Sequence, residues 1–216
     1  MTSATARVAS ALRSLFPRDV ATAAERIVPA STSPLWPEEH AAVAGAVPLR
    51  LAEFVAGRTA ARRVLEMLDH PAQALPMGPD RAAIWPKGIA GSIAHAAGYA
   101  VAAGRRGAAL GVDIEEDAEI PPELWNIICD ADELFQVGQV QTGRLVRQIF
   151  CAKEAVFKAQ DPARRAMFGH HTMRITLAET RFDAQFLANA GAFRSGQVVH
   201  GRLAVTQGVV LAGVAV

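Results

Sequence analysis

The chain has 216 residues, 51% of them hydrophobic, and carries 22 basic against 21 acidic side chains for a net charge of +1. This balance gives no reason to expect nucleic-acid binding or adsorption to a membrane surface, so an anionic ligand must be held by a local cluster. No apolar run reaches the ~18 residues that span a bilayer, and Cys129 and Cys151 lie too far apart in sequence for a metal-ligand spacing.

The two cysteines read as free thiols in a reducing compartment, and a cytoplasmic location is expected. The length suits one large domain or two closely joined lobes with a substantial core. Arg7, Arg13 and Arg18, with no acid among the first 18 residues, faintly resemble a transit peptide. The apolar stretch and cleavage site of a secretory signal are missing, however, and the segment is expected to be an amphipathic helix of the folded protein.

In chain order, residues 5–16 place Val8, Leu12, Leu15 and Phe16 at helical spacing, ended by Pro17. Residues 29–37 (PASTSPLWP) form a loop. Residues 51–68 predict a strong helix with Leu51, Phe54, Ala61, Val64, Leu65 and Leu68 on one stripe and Arg58 and Arg62 on another face. Residues 70–91 are an irregular stretch with four prolines, of a length that is usually functional or unstructured. A hairpin is expected next, with strands 99–103 and 109–115 about a GRRG turn at 104–107. Residues 121–137 read as mostly helical, 144–159 as a second strong helix, and 197–216 as two strands around Gln207-Gly208. The class is mixed α+β.

Within this frame, Gly111-Val112-Asp113-Ile114-Glu115 turns Val112 and Ile114 to a core and Asp113 and Glu115 together to the opposite side. Two such carboxylates repel unless a cation lies between them or water solvates both. On the second strong helix, Phe150, Glu154 and Lys158 share a face at i, i+4 spacing, which by itself is also the pattern of an ordinary surface Glu–Lys pair. Together, Asp113, Glu115 and Glu154 supply an all-oxygen set suited to magnesium, with manganese as a substitute, whereas zinc would want His or Cys. Lys153 or Lys158 would neutralise remaining phosphate charge beside the metal. Upstream, Trp85-Pro86-Lys87-Gly88-Ile89-Ala90-Gly91-Ser92-Ile93-Ala94-His95 has small residues that let a ligand approach the backbone. Arg50, Arg58 and Arg62 surround the first strong helix; Arg50 and Arg58, slightly over two turns apart, can point to one side, which by itself is also the pattern of a solvated basic face.

In this order the segments resemble the 4′-phosphopantetheinyl transferases, in the branch of the surfactin-synthetase-activating and enterobactin-synthase enzymes. The likeness covers most of the chain, and the GVDIE and KEAVFK pair with GSIAH upstream is its specific part. It implies a pseudo-twofold fold of two similar lobes, here 1–110 and 111–216, with coenzyme A in the cleft between them. The resemblance further implies metal ligands at Asp113, Glu115 and Glu154, catalytic roles for Glu154 and Lys158, and coenzyme A contacts from Arg50, Arg58, His95, Lys153 and Lys158. Glu133 loosely matches a glutamate of the family. Departures are Phe150 in place of Trp, Ala94 in place of a hydroxyl residue, and no clear basic residue at Met77 or Asp80, where Arg81 or Lys87 is the substitute. The expected reaction moves phosphopantetheine onto a serine of an apo acyl or peptidyl carrier protein and releases 3′,5′-ADP. A monomer is expected, with no nucleic-acid or membrane partner, and the branch leans towards siderophore and secondary metabolism, with carrier docking near residues 135–140. The alternatives are a metal-dependent nucleotide phosphohydrolase and a weakly active relative that only binds coenzyme A or a carrier.

Overall fold

Two antiparallel sheets, one of three strands and one of five, each receive a long helix. The computed structural model describes residues 3–29, 35–137, 142–161 and 165–216; positions 30–34 of the proline loop and 138–140 of the expected docking segment lie outside these.

Helix α1 (Ala4–Ser14) starts at Ser3, whose hydroxyl accepts the Ala6 N–H, and buries Val8 and Leu12. The first sheet has the order β1-β3-β2, from β1 (Ala21–Arg26), β3 (Tyr99–Arg106) and β2 (Ile89–Ala96). Helix α2 (Pro48–Met67) opens with Pro at its first position, where no N–H is needed, and lays Ala60, Ala61, Val64 and Leu65 on this sheet. Leu51 falls off the expected stripe and is exposed.

The second sheet has the order β4-β8-β7-β6-β5. Its strands are β4 (Leu110–Glu116), β5 (Met173–Leu177), β6 (Arg181–Phe186), β7 (Val198–Thr206) and β8 (Val209–Ala215). The short helices α3 (Trp125–Ile128) and α4 (Ala131–Val137) lead into α5 (Thr142–Lys158), which buries Val146, Ile149, Ala152 and Val156. A third cluster joins Val8, Leu12 and Phe16 to Val101, Val112, Ile114, Val209 and Leu211, so α1 packs on residues of both sheets.

The expected hairpin between 99–103 and 109–115 is not formed. β3 runs on through Gly104 to Arg106 and pairs with β2, while β4 pairs with β8 in the other sheet. The true hairpin is β2–β3, turned at Ala97 and Gly98, both at positive φ. Gly104 is a packing glycine: a Cβ there would sit 2.7 Å from Val64 Cγ1 and 3.3 Å from the Ala90 carbonyl oxygen. The chain turns instead at Gly107, φ +83°. The irregular stretch likewise ends earlier than expected, because β2 starts at Ile89.

Candidate active site

Along β4, Leu110, Val112 and Ile114 enter the core shared with α1, so Gly111, Asp113 and Glu115 turn the other way, towards α5. The helix comes so close that a Cβ on Gly111 would lie 1.9 Å from the Ala155 carbonyl oxygen and 2.7 Å from Ala159 N. This contact sets the depth at which Glu154 and Lys158 sit over the strand.

Asp113 is only 3% exposed. Its Oδ1 accepts a 2.6 Å hydrogen bond from Lys158 Nζ, while Oδ2 is buried and makes no hydrogen bond of ordinary geometry among the described residues, the weakly donating Cys151 thiol lying near the carboxylate. Burial raises the Asp113 pKa, Lys158 pulls it back, and the charge of Glu154 pushes it up again. Glu115 is also raised, by burial and by Asp113, against the opposing pull of Arg147, whose Nη1 donates to Glu115 Oε2 at 2.9 Å. For Lys158, burial alone would lower the pKa, but Asp113 and Glu154 more than offset it and hold the ammonium above its ordinary value. Among the described residues, no three His, Cys, Asp or Glu side chains are grouped so as to hold a metal ion.

A cavity of about 710 Å³ opens in front of Lys158 and Glu154. Arg50, Arg58 and His95 line it as well. Arg50 Nη1 donates to His95 Nε2 at 2.7 Å, which leaves the ring proton on Nδ1, 3.7 Å from Glu53 Oε2. Burial lowers the His95 pKa; Glu53 opposes this, and Arg50 and Lys158 add to it. Arg58 lies deeper. Its Nε donates to the Leu75 carbonyl at 2.6 Å, its guanidinium covers the Phe54 ring, and burial pushes its pKa down to about 10. In the long loop, Met77, Asp80 and Arg81 line the same cavity, and Asp80 pairs with Arg165 from beyond α5. Trp85 covers Gly91 so closely that any Cβ there would overlap its ring at 2.2 Å.

Lys153 and Glu133 are placed elsewhere. Lys153 is 1% exposed and spends its donors on Ile128 O, Glu133 Oε2 and His170 O, at 2.7, 2.8 and 2.9 Å. Glu133 also accepts the Asp130 and Ile175 N–H groups and stands at the start of α4, so the pair anchors structure behind the cavity. A buried ion pair of this kind depends on a partner 20 residues away, which the local KE motif does not reveal. Sequence reasoning also missed Arg147, His170 and Ser92. The buried Ser92 hydroxyl bonds the Val112 N–H at 3.1 Å and so ties β2 to β4. Its only signal is a small polar residue inside an apolar strand.

A cavity lined by Glu154 and Lys158 together with Arg50, Arg58 and His95 suits a phosphorylated substrate, although Asp113 and Glu115 do not themselves line it. Residues 38–104 match the 4′-phosphopantetheinyl transferase N-terminal domain, and residues 109–212 match the 4′-phosphopantetheinyl transferase superfamily. The chain is similar to 4′-phosphopantetheinyl transferase PptT of Mycobacterium tuberculosis, 32% identical over 220 residues covering 96% of each chain. It is similar to 4′-phosphopantetheinyl transferase Svp of Streptomyces mobaraensis, 34% identical over 205 residues, 84% of this chain and 78% of the relative. Enterobactin synthase component D of Salmonella typhi is 36% identical over 130 residues, 58% of this chain and 54% of that protein. The chain belongs to the 4′-phosphopantetheinyl transferase family, enzymes that move the phosphopantetheine moiety of coenzyme A onto carrier proteins. It is thus a transferase rather than the nucleotide phosphohydrolase left open above. Among the described residues, no helix is long and apolar enough to cross a membrane.

Proposed function

We propose that Asp113, Glu115 and Glu154 would gather about a divalent cation, magnesium or manganese, beside the cavity that Glu154 and Lys158 line and that would receive the diphosphate of coenzyme A. The carrying observation is Asp113, a carboxylate almost wholly buried with one oxygen that makes no hydrogen bond of ordinary geometry among the described residues. Such an atom is costly unless a cation or donor meets it, and an oxygen-only donor set fits a hard ion. When bound, the ion supplies charge stabilisation at the phosphates. Lys158 and Arg147, which pair with Asp113 and Glu115 in the structure, are the protein's own cations beside these acids.

In the proposed reaction the carrier serine oxygen attacks the phosphorus bearing the pantetheine arm, a new P–O bond forms, and the bond to the departing 3′,5′-ADP breaks. A carboxylate oxygen of Glu154, which faces the cavity, takes the serine proton. Lys158 offsets charge on the phosphate oxygens, and Arg50, Arg58 and His95 hold the 3′-phosphate. Lys153 is left out of this set because its donors are used internally. The likeness to enterobactin synthase component D supports carrier domains of siderophore-type and other secondary-metabolite synthases as substrates. A monomeric enzyme in the cytoplasm is the setting we infer, consistent with two buried free thiols, of which Cys129 is pushed up to about 12 by burial.

Purified protein should label an apo carrier from coenzyme A only with magnesium or manganese, and a chelator should stop the reaction. Undiminished transfer in excess chelator would remove the metal from the proposal. A panel of apo carriers ranked by kcat/KM tests the pathway, and a preference for a primary fatty-acid carrier over peptidyl carriers would reverse the assignment.

His95 gives a second expectation. Its ring is held neutral in the free protein by burial and the neighbouring cations, whereas a phosphate dianion favours the imidazolium. Binding then takes up a proton, so affinity for coenzyme A should tighten as pH falls from about 8 to 6, by at most about tenfold per unit. Calorimetry across this range should show the slope in the wild type and a flatter profile in His95→Gln; equal slopes would assign the proton elsewhere.

A further inference from the structure

A second, smaller cavity of about 270 Å³ shares Glu154, Phe157 and Met167 with the first and has His170 in its wall. His170 opens the short turn His170–Thr172 that leads into β5. Its ring is fixed from two sides. Phe150, one helical turn before Glu154, meets it edge to face with centroids 5.5 Å apart, and Nε2 lies 3.4 Å from Glu154 Oε1. Its backbone is fixed as well, because the His170 carbonyl accepts from the buried ammonium of Lys153 at 2.9 Å. Consecutive residues of α5 therefore grip one histidine, Lys153 by its main chain and Glu154 by its ring. A carboxylate only accepts, so the ring nitrogen between them is the donor.

We propose that His170 is a positioning residue for Glu154: its Nε2–H holds one carboxylate oxygen and so keeps the side chain in a single orientation towards the larger cavity. A free glutamate side chain has several rotamers, and each lost alternative brings the reactive oxygen closer to constant alignment with its target. The buried Lys153–Glu133 pair acquires a purpose in this arrangement, since it fixes the turn on which the histidine sits. The inference rests on the reading of Glu154 as the reactive carboxylate.

The test compares His170→Phe, which keeps a ring against Phe150 but removes the donor, with His170→Gln, whose amide nitrogen reaches about as far as Nε2. Loss of an outer hydrogen bond to a ligand or reactive group costs about 10- to 100-fold. His170→Phe should lower kcat by that factor, leave KM for coenzyme A and the melting temperature unchanged, and weaken Mn²⁺ binding measured by electron paramagnetic resonance without either substrate. His170→Gln should recover most of both losses. Should the Phe variant fail to fold, His170→Asn, whose amide stops short of the Nε2 position, provides the same contrast with Gln. In a Glu154→Gln background, His170→Phe should cause no further fall in kcat. Wild-type kcat in His170→Phe, equal losses in Phe and Gln, or an undiminished effect in the Glu154→Gln background would each overturn the proposal. Full activity of Glu154→Gln alone would remove the reading of Glu154 and this inference together, whereas an inactive Glu154→Gln beside an active His170→Phe removes only the role of His170.

Discussion

Asp113→Asn should lose transfer activity by at least about 100-fold in kcat/KM while the protein remains folded. The substitution keeps size and hydrogen-bonding capacity but removes the charge that Lys158 Nζ meets at 2.6 Å. Stability should change little. Burial already penalises the ionised carboxylate, as the raised pKa shows, so a neutral amide relieves one cost while the loss of the lysine contact adds another. Lys158 keeps access to water, so its ammonium is not stranded. Activity and thermal melting measured on the same preparation separate the outcomes. Asp113→Asn with activity within about tenfold of wild type, at unchanged metal dependence, would exclude a direct role, because one preorganised charge is worth more than that.

Among the described glycines, Gly111→Ala should be the most damaging substitution. The added carbon would lie 1.9 Å from the Ala155 carbonyl oxygen and 2.7 Å from Ala159 N. These are backbone atoms of α5 and of the residue just beyond it, so no rotamer change relieves the overlap; the helix itself must move. Overpacking of this kind costs about 1–3 kcal/mol and occasionally more. With backbone as the obstacle, the expected loss is about 3 kcal/mol, or roughly 6–12 °C in Tm for a chain of this size. A displacement of α5 by about 1 Å would also carry Glu154 and Lys158 away from Asp113, at a cost of about 100-fold in rate. Both effects should appear together. A stable Gly111→Ala protein with normal activity would show that the strand and helix are not held as close as described.

Much of this arrangement is legible before folding. The 3.6-residue period of α5 and the alternation in GVDIE point their apolar sides correctly, whereas α2 buries Phe54 through Arg58 in an unbroken run and its expected stripe, with Leu51 exposed, is right only in part. Glu154 and Lys158 share one helical face in the sequence and one cavity in the structure. β6 carries the same kind of alternation, with Phe182, Ala184 and Phe186 buried at every second position, yet the expected elements include no strand there. Other features depend on distant partners. Gly104 has the look of a turn, yet its lack of a side chain serves Val64 on a helix 40 residues earlier, and the wrong strand pairing follows from that ambiguity. Lys153 sits beside Glu154 in sequence, but the two point to different neighbours; the ammonium is claimed by Glu133 and two carbonyls. Nothing local to His170 marks it, since its ring finds Glu154 only when β5 folds against α5.

The first helix has a practical consequence for dissecting the molecule. Leu15 and Phe16, just after it, lie close against Gly213, where a Cβ would lie within 2.9 Å of either side chain. Arg7 of that helix also reaches Gln207 across 200 residues of sequence. A fragment cut between residues 104 and 109 would strip the downstream half of this cover and leave Val112, Ile114, Val209 and Leu211 open to solvent. Neither piece should survive as a soluble species by itself; co-expression of the two, with reassembly through that helix, is the route by which a split enzyme could regain activity.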